Sequence, residues 1–152
     1  MKAARFVTVL CLAWLISGCV TASKVPMESA DADAAAKNFA PPQGQANLYI
    51  VRDSAWPVNL FQLVVDGKVI GSIAASTFEL LTVGPGPHKI AVSVEDRAAA
   101  STKVEVESDQ SYFFQVVATP GWNSATLELK SLDADSGKAL VNRGKLAANM
   151  AD

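Results

Sequence analysis

The sequence predicts an all-β domain: an antiparallel β-sandwich of seven or eight short strands with a short C-terminal helix. Three observations carry this. Between Ala46 and Leu132 apolar and polar residues alternate with a period of two. In "STKVEVES", for example, Val104 and Val106 turn inward while Lys103, Glu105 and Glu107 face water. Turn signals interrupt the alternation at short intervals, at Asp66-Gly67, Gly84-Pro85-Gly86-Pro87 and Pro120-Gly121. After Leu132 the pattern changes, and Asp133, Asp135 and Ser136 stand as caps ahead of Ala139, Leu140, Val141 and Leu146. A small open barrel is the second choice of architecture.

The chain opens with Lys2 and Arg5, an apolar stretch from Phe6 to Ile16, and the small residues Ser17 and Gly18 ahead of Cys19. This is the layout of a secretory signal, residues 1–18, and the stretch is too short to span ~30 Å of hydrocarbon. Ile16-Ser17-Gly18-Cys19 resembles the bacterial lipobox. The resemblance implies that Ile16, Ser17 and Gly18 are read by the lipoprotein signal peptidase and that Cys19 becomes the lipidated N-terminus. Several acyl chains at ~0.8 kcal/mol per buried CH₂ make such an anchor effectively permanent. The alternative is an ordinary secretory signal with a chance cysteine, which leaves a lone exposed thiol in an oxidising compartment. Cys11 departs with the signal, so no disulfide is available. Val20 after the cysteine, instead of Asp, implies sorting to the inner leaflet of the outer membrane, facing the periplasm.

Removing residues 1–18 from the 152-residue chain leaves 134, enough for one domain with a core. Loss of Lys2 and Arg5 takes the net charge from -2 to -4. A surface of that sign, with scattered basic residues, is a poor partner for nucleic acid. Residues 19–45 read as the lipidated cysteine and a tether. They contain "SADADAAAKNFA" and "PPQGQ", with few large apolar side chains. As a coil the tether has a root-mean-square reach of ~28 Å. Ser29, followed by Asp31 and Asp33, alternatively caps a short helix ending at Lys37.

The β domain, residues 46–152, begins with "NLYIVR" and "LFQLVV". The latter is joined to "KVIGSI" by Asp66-Gly67, the strongest short hairpin signal, because both loop positions tolerate positive φ. "HKIAVSVE" sets Ile90, Val92 and Val94 on one face, and "ATLELKSL" sets Leu127 and Leu129 inward. "YFFQVVA", Tyr112 to Ala118, is almost continuously apolar, as a central strand covered on both faces requires. Gly144 weakens the C-terminal helix by ~1 kcal/mol if it lies in its interior.

"KNFAPPQGQANLYIVRDS", "LVVDGKVIG", "TFELLTVGPGPHKIAV", "SYFFQVV" and "LDADSGKAL" share an ordered pattern: Pro-Pro-x-Gly, Tyr-x-x-Arg, Val-Asp-Gly, Pro-Gly-x-His and Tyr-Phe. In this the chain, from about Lys37 to Leu140, resembles the bacterial lipoproteins of domain-of-unknown-function family 2846. It is also similar to the small β repeats named PEGA after their Pro-Glu-Gly-Ala motif. The resemblance implies an all-β envelope domain and supplies neither a substrate nor catalytic residues.

The residues give no catalytic set. His88 is the single histidine, no Gly-x-Ser-x-Gly elbow exists, and a Cys/His nucleophile lacks its cysteine. His88 reads as a strand-start residue whose ring satisfies nearby groups after the Gly-Pro turn. Asp133-x-Asp135-x-Gly137 is a faint calcium-loop start with Gly144 where a Glu ligand belongs, so capping explains it better and no metal or other cofactor is expected. Gly84-Pro85-Gly86-Pro87 lacks the Lys and Ser/Thr of a phosphate loop and reads as a turn.

Two loop aromatics, Trp56 in "DSAWPVN" and Trp122 in "TPGWNS", are candidate anchors for a protein or glycan. The competing reading folds each ring back as a plug for one end of the sandwich. Arg52 should turn inward with Leu48 and Ile50 and take a carboxylate partner, with Asp53, Glu79 or Glu95 available. The expectation is a non-enzymatic, lipid-anchored envelope module, held to the membrane through Cys19, that binds another envelope protein through loops at one end of a β-sandwich. The alternative is a small-molecule or glycan-binding lipoprotein with its ligand near Trp56 or Trp122.

Overall fold

A computed structural model describes residues 25–57, 59–95, 97–122 and 125–150. Cys11, Ile16, Ser17, Gly18, Cys19 and Val20 lie outside the described residues. Along the chain run α1 (Ala30–Ala36), β1 (Ala46–Arg52), β2 (Phe61–Val65), β3 (Lys68–Ile73), β4 (Thr77–Val83), β5 (Gly86–Val94), β6 (Arg97–Val106), β7 (Ser111–Pro120), β8 (Ala125–Leu132), α2 (Ala134–Arg143) and β9 (Lys145–Leu146).

The strands form two packed sheets, ordered β8-β7-β1-β4-β9 and β3-β2-β5-β6. The second is antiparallel throughout. The first is mixed, because β1 runs parallel to β7 and β4 parallel to β9, which corrects the expectation of a purely antiparallel sandwich. Parallel neighbours need a crossover, and the chain makes one: it leaves β1, forms β2 and β3 of the second sheet, returns to the first as β4, adds β5 and β6 to the second, and comes back beside β1 as β7. Leu48, Ile50, Leu63, Ile73, Ile90, Val92, Phe114 and Leu129 fill the space between the sheets.

A third layer covers the outer face of the mixed sheet. Tyr49, Val51, Phe78 and Phe113 project outward there and are buried beneath Ala36 of α1 and Leu140 and Val141 of α2. Tyr49 and Phe113 stack with ring centroids 5.0 Å apart. All seven residues of β1 are therefore buried, and β1 is the strand covered on both faces along its whole length. In β7 only the middle is so covered, with Phe113 facing the helices and Phe114 the core. Asp133 caps α2 by accepting from the Ser136 amide at 2.9 Å. Gly144 is the residue that ends α2, and the interior glycine is Gly137. A Cβ at Gly137 would lie 2.2 Å from the Phe113 ring, so its absence lets the helix approach β7.

The boundary set at Ala46 falls inside the packed body. Met27 forms a β-bridge with Ala147, and Glu28 N donates to Leu146 O at 3.1 Å. Val25 is buried with Ala74 and Ala147, and Leu60 packs on them. The capped helix read from Ser29 is present: Ser29 accepts from Ala32 N, and Lys37 pairs with Asp33 at 2.7 Å. Asp33 also accepts from Leu146 N at 2.8 Å. Alanine faces, backbone bonds, buried Val25 and the Phe39 ring, 5.5 Å from Tyr49 and 5.9 Å from Phe113, hold this segment against the body.

The Asp66-Gly67 hairpin has positive φ at both positions, 52° and 81°. Connections at 66–67, 84–85, 107–110 and 133 cluster at one end of the sandwich. Those at 53–57, 59–60, 74–76, 95, 121–122 and 144 cluster at the other.

Candidate functional site

The second of these ends carries a cleft of about 430 Å³ between the two sheets. Phe61 of β2, Val94 of β5 and Ala99 of β6 form one wall, and Ala125 and Leu127 of β8 form the other. Trp56, Pro57 and Asn59 close it from the β1–β2 connection, and Gly121 from the β7–β8 connection. Among the described residues no ionisable side chain lines it. Trp56 is 47% exposed, and Trp122, next to Gly121 on the rim, is 99% exposed. Neither indole is a core plug, and the two loops read separately from the sequence meet at one site.

Arg52 positions the Trp56 side of the cleft. Its side chain turns inward and is almost fully buried, as the alternation requires. Among the described residues it meets no carboxylate there, which corrects the expected ion pair with Asp53, Glu79 or Glu95. The guanidinium instead donates to the carbonyls of Pro57 and Asn59, the latter at 2.6 Å, and lies 4.1 Å over the Phe61 ring. Burial lowers its pKa from the usual value. A rigid fork of donors suits two nearby loop carbonyls, and the ring face adds a cation–π contact. Ser54 completes the loop, its Oγ accepting from Trp56 N at 3.2 Å.

Glu79 is buried on the same inner face, and neither carboxylate oxygen has a hydrogen-bond partner. Burial, with the Glu28 charge adding to it, pushes its pKa up to about 8, so at neutral pH it is a neutral acid. It packs on β3 at Gly71, where a Cβ would come within 2.6 Å of its Oε1. The C-terminal segment straps the gap between the sheets beside it, with Ala147 N donating to Phe78 O and Met150 N to Ile70 O.

His88 lies at the far end from the cleft. Its Nδ1 is 2.6 Å from Asp66 Oδ2 and its Nε2 2.8 Å from Gly84 O, so both ring nitrogens face acceptors. Burial pulls its pKa down, but the Asp66 carboxylate and the Gly84 carbonyl outweigh that and hold it above the ordinary value. Asp66 is held low chiefly by the same hydrogen bond and by the Lys89 amide. The ring ties the hairpin turn to the start of β5, the structural role read from the sequence. Asp133 is likewise engaged as a helix cap. Among the described residues no three His, Cys, Asp or Glu side chains come together as a metal set, and no helix is long and apolar enough to cross a membrane.

A second groove, about 460 Å³, runs beside α1. Its polar groups largely satisfy one another or the backbone, with Thr82 donating to Asn47 at 2.9 Å and the Tyr49 hydroxyl to Ala36 O at 2.8 Å. The end cleft differs in offering apolar walls and exposed indoles. Of its members, the sequence reading singled out Trp56, with Trp122 on its rim. Phe61, Val94 and Leu127 carried a signal only as inward residues near strand ends. No family model matches the chain, and no curated protein matches it either.

Proposed function

We propose that this chain is a non-enzymatic, lipid-anchored module of the cell envelope, held through Cys19, that binds another envelope protein at the cleft walled by Trp56. One observation carries the reading: an apolar cleft flanked by exposed indoles and braced by a buried arginine. Aromatic anchors in a desolvated pocket are where binding energy concentrates at protein interfaces. The lipobox residues Ile16, Ser17 and Gly18 support the anchor, and Val20 supports an outer-membrane, periplasm-facing location. The order of motifs supports kinship with domain-of-unknown-function family 2846.

The test is retention of detergent-solubilised membrane proteins on the immobilised domain. A discrete protein retained by the wild type and by Glu105→Ala, but not by Trp56→Ala, supports the reading. Equal retention by Trp56→Ala overturns it. The cleft's volume also lies within the range of small-molecule sites, which favours a second reading, a glycan or other small ligand. That reading predicts a saturable change in Trp56 fluorescence with cell-wall fragments.

A further inference from the structure

The residues that join the fold to the proposed lipid bring one end of the sandwich to the membrane. Only residues 20–24 separate Cys19 from Val25, so the six Cα–Cα steps between them reach at most ~20 Å. Val25 is fixed, buried with Ala74 of the β3–β4 turn, and Leu60 of the β1–β2 connection packs on that cluster. Both connections lie at the Trp56 and Trp122 end. The opposite end stands ~33 Å away, the length of the ten-residue β7.

Charge favours the same orientation. Among the described residues, the far end exposes Asp66, Glu105, Glu107, Asp109, Asp133 and Asp135 against Lys68, Lys89 and Lys103. The Trp end exposes Arg97, Arg143 and Lys145 beside Glu28, Asp53 and Glu95. Anionic headgroups repel the acidic excess of the far end, while the described charges of the Trp end balance. At the end brought close stands Trp122, with essentially its whole indole in solvent. Indoles partition to the headgroup level of a bilayer, apolar ring inward and N–H toward water.

From this placement we infer that Trp122 is a second membrane contact, seated in the headgroup region of the bilayer that holds the Cys19 lipid, so that the Trp56 cleft opens at the membrane surface. This rests on the lipid anchor proposed above. It takes Trp122 for the bilayer and leaves the cleft walled by Trp56 to the protein partner, which must then present its anchor at the membrane surface.

The test uses the full lipidated protein in vesicles of phosphatidylethanolamine and phosphatidylglycerol. Trp56→Phe leaves Trp122 as the one tryptophan of the mature chain, since Trp14 departs with the signal. Flotation with the vesicles and the acyl mass on the Cys19 peptide report the anchor independently. If the protein floats, lipids brominated near the headgroup should quench Trp122 emission roughly twofold, with the spectrum shifted to the blue. A protein that floats with unquenched, water-like Trp122 emission overturns the inference and leaves the anchor standing. A protein that neither floats nor carries acyl mass removes the anchor, and the inference falls with it.

Discussion

Glu79 makes the stability of this fold depend on pH in the direction opposite to that of ion-paired or hydrogen-bonded carboxylates. The folded protein holds a proton on Glu79 up to a pH of about 8, while the unfolded chain releases it at its ordinary value of 4.5. Between those limits the native state binds one proton more than the unfolded state, so stability falls as pH rises. The loss is roughly 1.4 kcal/mol per pH unit, or about 5 kcal/mol across the window. Below pH 4.5 both states carry the proton and the contribution is level; above 8 both have released it and the loss is complete. His88 adds a slope of the same sign at the upper end. Its raised pKa stabilises the fold below the unfolded value, and that stabilisation is lost as pH rises through the folded value. The assay is urea unfolding at pH 5, 6, 7 and 8 for the wild type and for Glu79→Gln, which retains the shape and cannot ionise. The difference between the two removes the His88 slope and should fall by about 1.4 kcal/mol per pH unit. Glu79→Met, similar in volume and without an unpartnered polar atom, should stabilise the fold by about 3 kcal/mol at pH 7. A wild-type minus Glu79→Gln difference that stays flat from pH 5 to 8 would refute the burial argument.

Three further outcomes follow from contacts described above. Arg52→Met strips two part-buried loop carbonyls of a charged donor and removes the contact with Phe61; it should cost about 2 kcal/mol in urea unfolding and raise amide exchange in the 53–57 stretch and at Asn59. Gly137→Ala drives a methyl into the Phe113 ring and should cost about 2 kcal/mol, read as a lower thermal midpoint, unless α2 moves away from β7. Asp66→Asn removes the carboxylate facing Nδ1, so the imidazole pKa of His88 should fall; with a single histidine in the chain, its ring resonance in an NMR pH titration needs no separate assignment.

The parts of this fold set by local pattern were legible in the sequence. Val92, Val106, Leu127 and Leu129 turn inward where alternation places them, the Asp66-Gly67 hairpin forms, and Asp133 starts α2. Pairing was less legible, because alternation places β1 in a sheet without saying that β7 lies parallel beside it. Within residues 25–45 the helix capped by Ser29 was legible, but the docking of the segment was not, because Val25 and Phe39 are isolated apolar residues in a stretch whose Ala, Pro and Gln resemble a linker. Arg52 shows the same division. The period of two turned it inward, but the carbonyls that accept its charge belong to Pro57 and Asn59, and any residue type supplies a carbonyl. Both tryptophans were visible as loop aromatics. The cleft was not, since its walls come from strands of both sheets and exist only once those sheets pack.

The central claim is that the Trp56 cleft is where this domain meets its partner. Photo-crosslinking in intact cells tests it most directly, with the probe replacing Trp56 in one strain and Glu105, exposed on β6 toward the opposite end, in another. The account predicts a discrete protein adduct from position 56 and none from position 105, in protein shown to be folded and to carry lipid on Cys19. Equal adducts from both positions, or none from position 56, would contradict it.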